Sequence, residues 1–437
     1  MSAQPQRNKP EAASHTRSRP EQLDLFQAVL DSYQAAGGAP VSNADLYRVV
    51  AQRAGVPEAE IDRTVAIGGA QHSPFKRAVR WVQQTLKHLG LLERQADRRG
   101  VWGLTKTNKD GLTAAPADMR LVAFSTDMGI AIWGDSTIEF PDLGQPIHLV
   151  VTSPPYLLRR PRAYGNPLTE QEYVDFICKA LEPIVAQLAP GGSICLNLTN
   201  DSFLLGSPAR SVAKERLVLA LVDRLSLYLM DTIIWHNASK PPGPIQYASK
   251  SRVQLNTGYE PVYWFTNDPS RVFSDNRRVL EPHTDRHRKW LQTVQNAGEC
   301  PRRGVYGDGA YRLRAGSFAN ETEGRIPKNV LQIGHACADT REYRRDAEEL
   351  GLPIHGAMMP LALARFLVEF LSKPGQLVVD LFGGTAKTAM AAELLNRHWI
   401  LFELFAQYLR GGAVRFQRRR FPGFQLGREF ASGFGIN

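Results

Sequence analysis

The sequence predicts a mostly parallel α/β sheet domain, preceded by a small helical domain that closes in a β-hairpin. Three observations carry this. From about residue 118 onward, strand-like apolar runs alternate with helix-length amphipathic segments, the pattern of strands joined by crossover helices. Two of those runs stop abruptly, one at Thr-Ser-Pro-Pro-Tyr (152–156) and one at Asp-Leu-Phe-Gly-Gly (380–384). Residues 21–107 instead show a helical apolar period followed by two short strand-like runs. The 437 residues leave room for two or three domains, and 43% hydrophobic content supports a large core. A net charge of +10 favours a polyanionic partner. Four cysteines without C-x-x-C spacing argue against a disulfide framework or a zinc site, and no metal is expected. No apolar run approaches 18 residues and no secretory leader is visible, so a cytoplasmic protein with no membrane association is expected.

Residues 1–20 are polar and basic, with three prolines, and read as a disordered tail. In the next segment Leu25, Phe26, Val29, Leu30 and Tyr33 share one helix face. A second helix is expected to start with Ser42 as its N-cap and end near Gly55. In the third, Phe75, Val79, Val82, Leu86 and Leu89 step by four, three, four and three, with Lys76, Arg77, Arg80 and Lys87 mostly off that face. The stretch "LLERQADRRGVWGLT" then reads as two strands around a basic turn. Three helices and a hairpin are the order of a winged helix, a DNA-binding form, although a helical interaction domain with a solvated basic face has the same pattern. A polar linker is expected over 106–117.

In the larger domain, taken as 118–437, strands are expected at 147–152, 192–198, 231–236, 259–265, 376–381 and 398–403. Helices are expected at 169–189, 209–228, 360–372 and 386–396. Between about 266 and 330 the pattern breaks into Arg-, Gly- and Asn-rich sequence.

Two stretches carry chemistry. At 149–156 an apolar strand runs into Ser153-Pro154-Pro155-Tyr156. The paired prolines remove two donors and stiffen the loop, presenting a hydroxyl and an aromatic ring in a fixed relation. At 376–404 the order is strand, glycine turn, helix, strand, with Asp380 closing the first strand and Glu403 the second. An acidic residue roughly 20 positions beyond a glycine turn is suited to ribose hydroxyls, and Gly383 and Gly384 would let backbone approach a ligand. "GGTAKT" is not a phosphate-binding loop, since Ala386 precedes Lys387 where such a loop needs glycine.

Taken together these stretches resemble the β class of DNA amino-methyltransferases. The motif [D/N/S]-P-P-[Y/F] of that family is met by Ser153-Pro154-Pro155-Tyr156. Its cofactor motif is met by Asp380, Phe382, Gly384, Thr385 and Thr388, while Leu381, Ala386 and Lys387 depart from it. "WGDS" (133–136), "LAPGG" (188–192), "GYEPVYWF" (258–265) and "HGAMMP" (355–360) add to the likeness, which spans about 120–415. The resemblance implies a Rossmann-like, S-adenosylmethionine-dependent methyltransferase sheet with helices on both faces. It implies duplex DNA as substrate and a possible cognate restriction endonuclease as partner. It places the cofactor against Thr152, Asp380, Phe382, Gly383, Gly384, Thr385 and Glu403, with His355 and Pro360 closing the pocket.

An exocyclic amino group is a weak nucleophile because its lone pair is delocalised into the ring. Acceptors at Ser153 and the Pro154 carbonyl could each hold one amino hydrogen, and Tyr156 could stack on a base flipped from the duplex. Ser-Pro-Pro-Tyr accompanies cytosine N4 in the family more often than adenine N6, so cytosine N4 is the expected target, with adenine N6 the alternative. A DNA-binding regulator with a degenerate methyltransferase fold is the reading from another class. A target-recognition region is expected within about 240–330, where arginines meet aromatics in "RVFSDNRR" and "PRRGVYGDGAYRLRAG".

Overall fold

The computed structural model describes residues 25, 28–29, 32–33, 35–36, 39–67, 70–88, 92–95, 98–104, 112–116, 119–138, 140–156, 169–204, 206–237, 240, 242–297, 304–306, 311–313, 322–335 and 337–433. The basic tail expected at 1–20, with Phe26 and Leu30, lies outside them. The chain divides into two compact units. One is drawn from Met1–Lys106 and Arg428–Asn437, the other is Thr107–Gly427.

In the first unit, β1 (Val41–Ser42), β5 (Val101–Leu104) and β4 (Leu92–Arg94) form a three-stranded sheet in that order. Helix α1 (Asn43–Arg53) starts where the sequence places it, with the Ser42 side chain accepting from the Asp45 amide. Helix α2 (Glu58–Asp62) and the hairpin β2 (Val65–Ile67) and β3 (Ala70–His72) are additions that five- and three-residue segments carry too little period to announce. Helix α3 (Pro74–His88) buries Val79, Val82 and Leu86 and leaves Arg77, Arg80, Trp81 and Lys87 exposed. Its one buried amide is satisfied: Gln83 Nε2 donates to Tyr33 Oη at 2.7 Å and to Asn43 Oδ1 at 2.9 Å.

The second unit is built on a ten-stranded sheet in the order β14-β10-β11-β9-β8-β15-β16-β7-β6-β17. Its centre is five parallel strands: β9 (Leu188–Asn197), β8 (Ile147–Thr152), β15 (Leu377–Asp380), β16 (His398–Glu403) and β7 (Gly129–Trp133). β11 (Tyr259–Thr266) pairs antiparallel with β9, β10 (Tyr228–His236) pairs antiparallel with β11, and short β14 (Val330–Gln332), parallel to β10, ends that side. β6 (Leu121–Ser125) and β17 (Gln425–Leu426) extend the other. The fold class is the expected one, an α/β sheet with helices on both faces. Helices α4 (Glu170–Ala186) and α5 (Ala213–Leu225) pack in one core with β8, β9 and β15 through Ile177, Leu181, Leu217, Ile194 and Val379. Helices α8 (Leu361–Leu371) and α9 (Lys387–Leu394) pack on each other and on β8 and β15.

Chain order decides where a ligand can sit. From β8 the chain moves to β9 on one side, and from β15 to β16 on the other. The switch point therefore lies between β8 and β15, and the crevice beyond their carboxyl ends is the ligand position in such sheets. Those ends are Thr152-Ser153 and Asp380-Leu381.

Some expectations shift. β9 begins at Leu188, so "LAPGG" enters the strand. A Cβ on Gly191, whose φ is +83°, would lie 1.9 Å from the Arg271 carbonyl oxygen. Residues 112–116, read as linker, are bound to the second unit: the Ala115 amide donates to the Leu404 carbonyl at 2.8 Å, and the Thr113 amide to Gln407 Oε1 at 2.8 Å. In the 266–330 stretch, helix α6 (Asp285–Ala297) and strands β12 (Gly304–Tyr306) and β13 (Tyr311–Leu313) are present. The arginines of "RVFSDNRR" brace the chain, Arg277 locally and Arg278 also across to the end of α8. Arg277 Nη2 meets Asp275 Oδ2 at 2.8 Å, and Arg278 donates to the Glu369, Ser372 and Phe273 carbonyls.

Candidate active site

The two motifs are tied together at the switch point. Thr152 Oγ1 donates to Asp380 Oδ1 at 2.7 Å, and the Phe382 amide donates to the same oxygen at 3.1 Å. Thr388 Oγ1, on α9, donates to the Val151 carbonyl at 3.1 Å. Burial pushes the Asp380 carboxyl up to about 6, against the pull of these donors. Asp380 thus holds the glycine turn from within, and Thr152 serves Asp380.

The turn's shape explains its residues. A Cβ on Gly383 would lie 2.2 Å from Leu401 Cγ, so this glycine answers to packing on β16. Gly384 has φ +49°, and its amide donates to Glu403 Oε2 at 2.6 Å. Ala386 has φ +60°, which is why a glycine or asparagine would sit there more comfortably. The Thr385 hydroxyl is buried with no hydrogen-bond partner among the described residues.

A cleft of about 700 Å³, partly open to solvent, lies over these strand ends. Of the residues singled out in the sequence, Ser153, Pro155, His355, Phe382 and Glu403 line it. Glu403 also accepts from the Phe405 amide at 2.9 Å, and burial pushes its carboxyl up to about 7 despite both amides. His355 packs against Tyr408 with the rings tilted at 59° and their centroids 4.5 Å apart, and its Nδ1 accepts from the Ala357 amide. Thr152, Asp380, Gly383, Gly384, Thr385 and Pro360, also expected against the cofactor, are not among the residues lining the cleft; the first five belong to the strand ends and the turn beside it, and Pro360 is the N-cap of α8. Sequence reasoning missed part of the wall: Asp135 and Ser136 from "WGDS" with Thr137 after it, and Leu404, Phe405 and Tyr408 after Glu403. "WGDS" was legible as a motif without a role. Its Ser136 hydroxyl donates to the Leu381 carbonyl at 2.7 Å, fixing the turn from the far side.

On the other side of Pro155 is a second pocket, lined by Tyr156, Asn197, Trp235, Lys240, Glu260 and Met358 among others. The Ser153 hydroxyl is 3.0 Å from Tyr156 Oη and 3.3 Å from the Asn197 carbonyl. Tyr156 Oη donates to Glu260 Oε2 at 3.4 Å. Ser-Pro-Pro-Tyr therefore borders both spaces. Asn197 Oδ1, buried at the end of β9, has no hydrogen-bond partner among the described residues.

A buried ionic cluster supports the helix behind the glycine turn. Lys387 and Arg415 both pair with Asp339, Arg415 at 2.6 Å, and Arg415 also donates to the Thr385 carbonyl. Burial, with Arg415 beside it, pulls the Lys387 ammonium down to about 8. The lysine that departs from the family motif is therefore a structural cation. Among the described residues no cluster of metal-ligating side chains occurs, and no helix is long and apolar enough to cross a membrane.

An α/β sheet of this order, with a glycine turn and a Ser-Pro-Pro-Tyr loop at its switch point, is that of a methyltransferase. Residues 147–414 match the DNA methylase model of N6- and N4-amino methyltransferases, and residues 24–114 match the Mrr N-terminal domain. The chain belongs to the DNA methylase family, enzymes that depend on S-adenosylmethionine. It is 33% identical over 297 residues to the Type II methyltransferase M.PvuII of Proteus hauseri, covering 67% of this chain and 85% of that protein. It is 24% identical to the Type II methyltransferase M.BglII of Bacillus subtilis, covering 62% of this chain and 63% of that one. Among solved structures it is similar to the cytosine-N4-specific PvuII DNA methyltransferase, with a TM-score of 0.51 and 29% identity over 68% of this chain and 89% of that one.

Proposed function

We propose that the protein transfers a methyl group from S-adenosylmethionine to the exocyclic N4 of a cytosine flipped out of duplex DNA. The observation that carries this is the position of Ser153. Its hydroxyl stands on the wall of the Glu403 cleft and is hydrogen-bonded to Tyr156, which lines the neighbouring pocket. Support for cytosine comes from the Ser-Pro-Pro-Tyr sequence and from the likeness to a cytosine-N4-specific enzyme.

The cleft suits the cofactor chemically. Glu403 offers a carboxylate to ribose hydroxyls, and Phe382, Phe405 and Pro155 offer apolar surface to an adenine ring. When bound, S-adenosylmethionine supplies an electrophilic methyl group. The chain's own residues do the rest. Ser153 Oγ and the Pro154 carbonyl accept the two amino hydrogens, which localises the nitrogen lone pair and aims it. Tyr156 stacks on the base, and the prolines keep the acceptors fixed so that little entropy is lost on binding. The flipped base is required because the amino group is inaccessible within the stack. The +10 charge suits the duplex partner, and the Type II names of the relatives support a cognate restriction endonuclease. We assign DNA contact also to the exposed Arg77, Arg80 and Lys87 face of α3, and target recognition to residues within 240–330.

Single-molecule sequencing of DNA from a host expressing the protein, reading N4-methylcytosine against N6-methyladenine, tests the proposal. N4-methylcytosine at one recurring sequence is expected. N6-methyladenine alone overturns it.

A further inference from the structure

The second pocket holds an ion pair that the methyl-transfer chemistry does not use. Lys240 Nζ lies 3.1 Å from Glu260 Oε1, and both side chains are more than four-fifths buried. Glu260 Oε2 accepts from Tyr156 Oη, and Tyr156 Oη lies 3.0 Å from Ser153 Oγ. Ser153, Tyr156, Glu260 and Lys240 thus form one hydrogen-bonded chain that starts at the amino clamp and ends in a cation. A pair withdrawn this much from water pays desolvation, so stability alone does not explain it. The orphaned Asn197 Oδ1 in the same pocket points to a polar ligand that would complete the site.

The edge of a base that carries its amino group decides what can meet that cation. In cytosine the amino group is followed by N3 and then by the O2 carbonyl, two acceptors. In adenine it is followed by N1 and then by a C2–H, which accepts nothing. With the amino group held at Ser153, the group two positions further along the ring is an acceptor only in cytosine.

We propose that Lys240 is a specificity-determining residue that donates to the O2 edge of the target cytosine, and that Glu260 is a positioning residue that fixes Lys240 and Tyr156 together. This rests on the cytosine-N4 reading above. Lys240 retains donor hydrogens beyond the one directed at Glu260, since an ammonium carries three. An adenine in the same place would leave the cation facing a C–H, and a polar site rejects a base lacking the matching group far better than an apolar one does.

The test uses the full-length protein and its own recognition sequence, read first by single-molecule sequencing. Single-turnover rates and kcat/KM are then measured on duplexes with cytosine, 2-thiocytosine or adenine at the target position, for wild type, Lys240→Met, Lys240→Arg and Glu260→Gln. Loss of a hydrogen bond to a charged donor predicts that Lys240→Met loses roughly 10–100-fold in kcat/KM on cytosine. It also predicts a collapse of the cytosine-to-adenine ratio, with little further loss when 2-thiocytosine replaces cytosine. Lys240→Arg should restore part of the ratio, and Glu260→Gln should lower kcat with a smaller fall in the ratio. A Lys240→Met enzyme with wild-type cytosine-to-adenine and oxygen-to-sulfur ratios overturns the Lys240 assignment while leaving the cytosine reading intact. A wild-type mark on adenine overturns both. If Lys240→Met does not fold, a Glu260→Gln enzyme with unchanged ratios overturns the proposal.

Discussion

The Thr152 hydroxyl donates to Asp380 at 2.7 Å, and through this bond the strand that carries Ser-Pro-Pro-Tyr holds the strand that carries the glycine turn. Both groups are buried, Thr152 at 1% exposure and Asp380 at 4%, so neither can turn to water if the other is lost. Thr152→Val keeps the shape and removes the donor. It should destabilise the protein by about 1–3 kcal/mol, the cost of leaving a buried polar group short of a partner. It should also raise the Asp380 carboxyl further and lower the methylation rate. Urea unfolding and single-turnover methylation measure the two effects. A stability loss without a rate loss would limit this pair to a structural role. Asp380→Ala, which the sequence alone would treat as a pure cofactor variant, should cost stability as well, because the Phe382 amide and Thr152 both lose their acceptor.

Glu403 gives a pH dependence whose sign is fixed by its burial. Its carboxyl is pushed up to about 7, above its ordinary value, so the ligand-free native state binds a proton that the unfolded chain releases. Stability of the free protein should therefore fall as pH rises toward 7 and level off above it. Cofactor affinity should move the opposite way, because only the ionised carboxylate accepts from two ribose hydroxyls. Calorimetry with S-adenosylmethionine between pH 5.5 and 8.5, about one and a half units either side of 7, should show affinity rising with pH and proton release on binding. Glu403→Gln should bind weakly at every pH and with a flat profile. A flat profile in the wild type would remove Glu403 from the ligand contacts.

Ser153→Ala should fall mainly on the chemical step. If the hydroxyl holds an amino hydrogen as the nitrogen pyramidalises, its loss should slow single-turnover methylation by about 10²–10³-fold, as for removal of one positioned transition-state hydrogen bond. Affinities for DNA and cofactor should change little. A wild-type single-turnover rate would reduce Ser153 to a compact residue before two prolines.

Asp339 is the single carboxylate that Lys387, Arg415 and Arg419 all contact. Asp339→Asn leaves buried cations around a neutral amide and should destabilise the fold by roughly 3–5 kcal/mol. Urea unfolding at pH 7 tests it, and the loss should shrink above pH 8, where Lys387, pulled down to about 8, sheds its charge. A variant as stable as wild type would show that the cluster repacks.

This cluster also marks where sequence reading stops. The strands carrying the site were legible because strands buried on both faces read as unbroken apolar runs, as in "LVVT" and "WILF". Helix α7 (Ala338–Glu349) was not legible. Its buried face includes Asp339, Thr340 and Asp346, whose partners come from Lys387, Arg415 and Arg418, distant in sequence. No apolar period can report such a face. Ser153, Tyr156, Phe382 and Glu403 were readable because their motifs dictate local geometry. The second pocket draws Asn197, Lys240 and Glu260 from three separate segments, and only the sheet order brings them to Tyr156. Gly383 shows a subtler limit: the residue type was readable, but its reason, the Leu401 side chain on the next strand, was not.

Arg77 and Arg80 test whether the exposed face of α3 meets DNA. Both are exposed on a helix whose opposite face is fully committed to Val79, Val82 and Leu86, so replacing them should leave the fold unchanged. A phosphate contact releases counterions, so each one lost should lower the slope of log affinity against log salt by about 0.9. The double variant Arg77→Gln with Arg80→Gln should therefore weaken duplex binding most at low salt. Its salt slope should be shallower by up to about two. The loss should be similar for specific and unrelated duplexes, because phosphate contacts carry no sequence information. Fluorescence anisotropy across a salt series measures both. If the slope and the affinity match wild type, this basic face is solvated, and the DNA contacts lie in the methyltransferase unit alone.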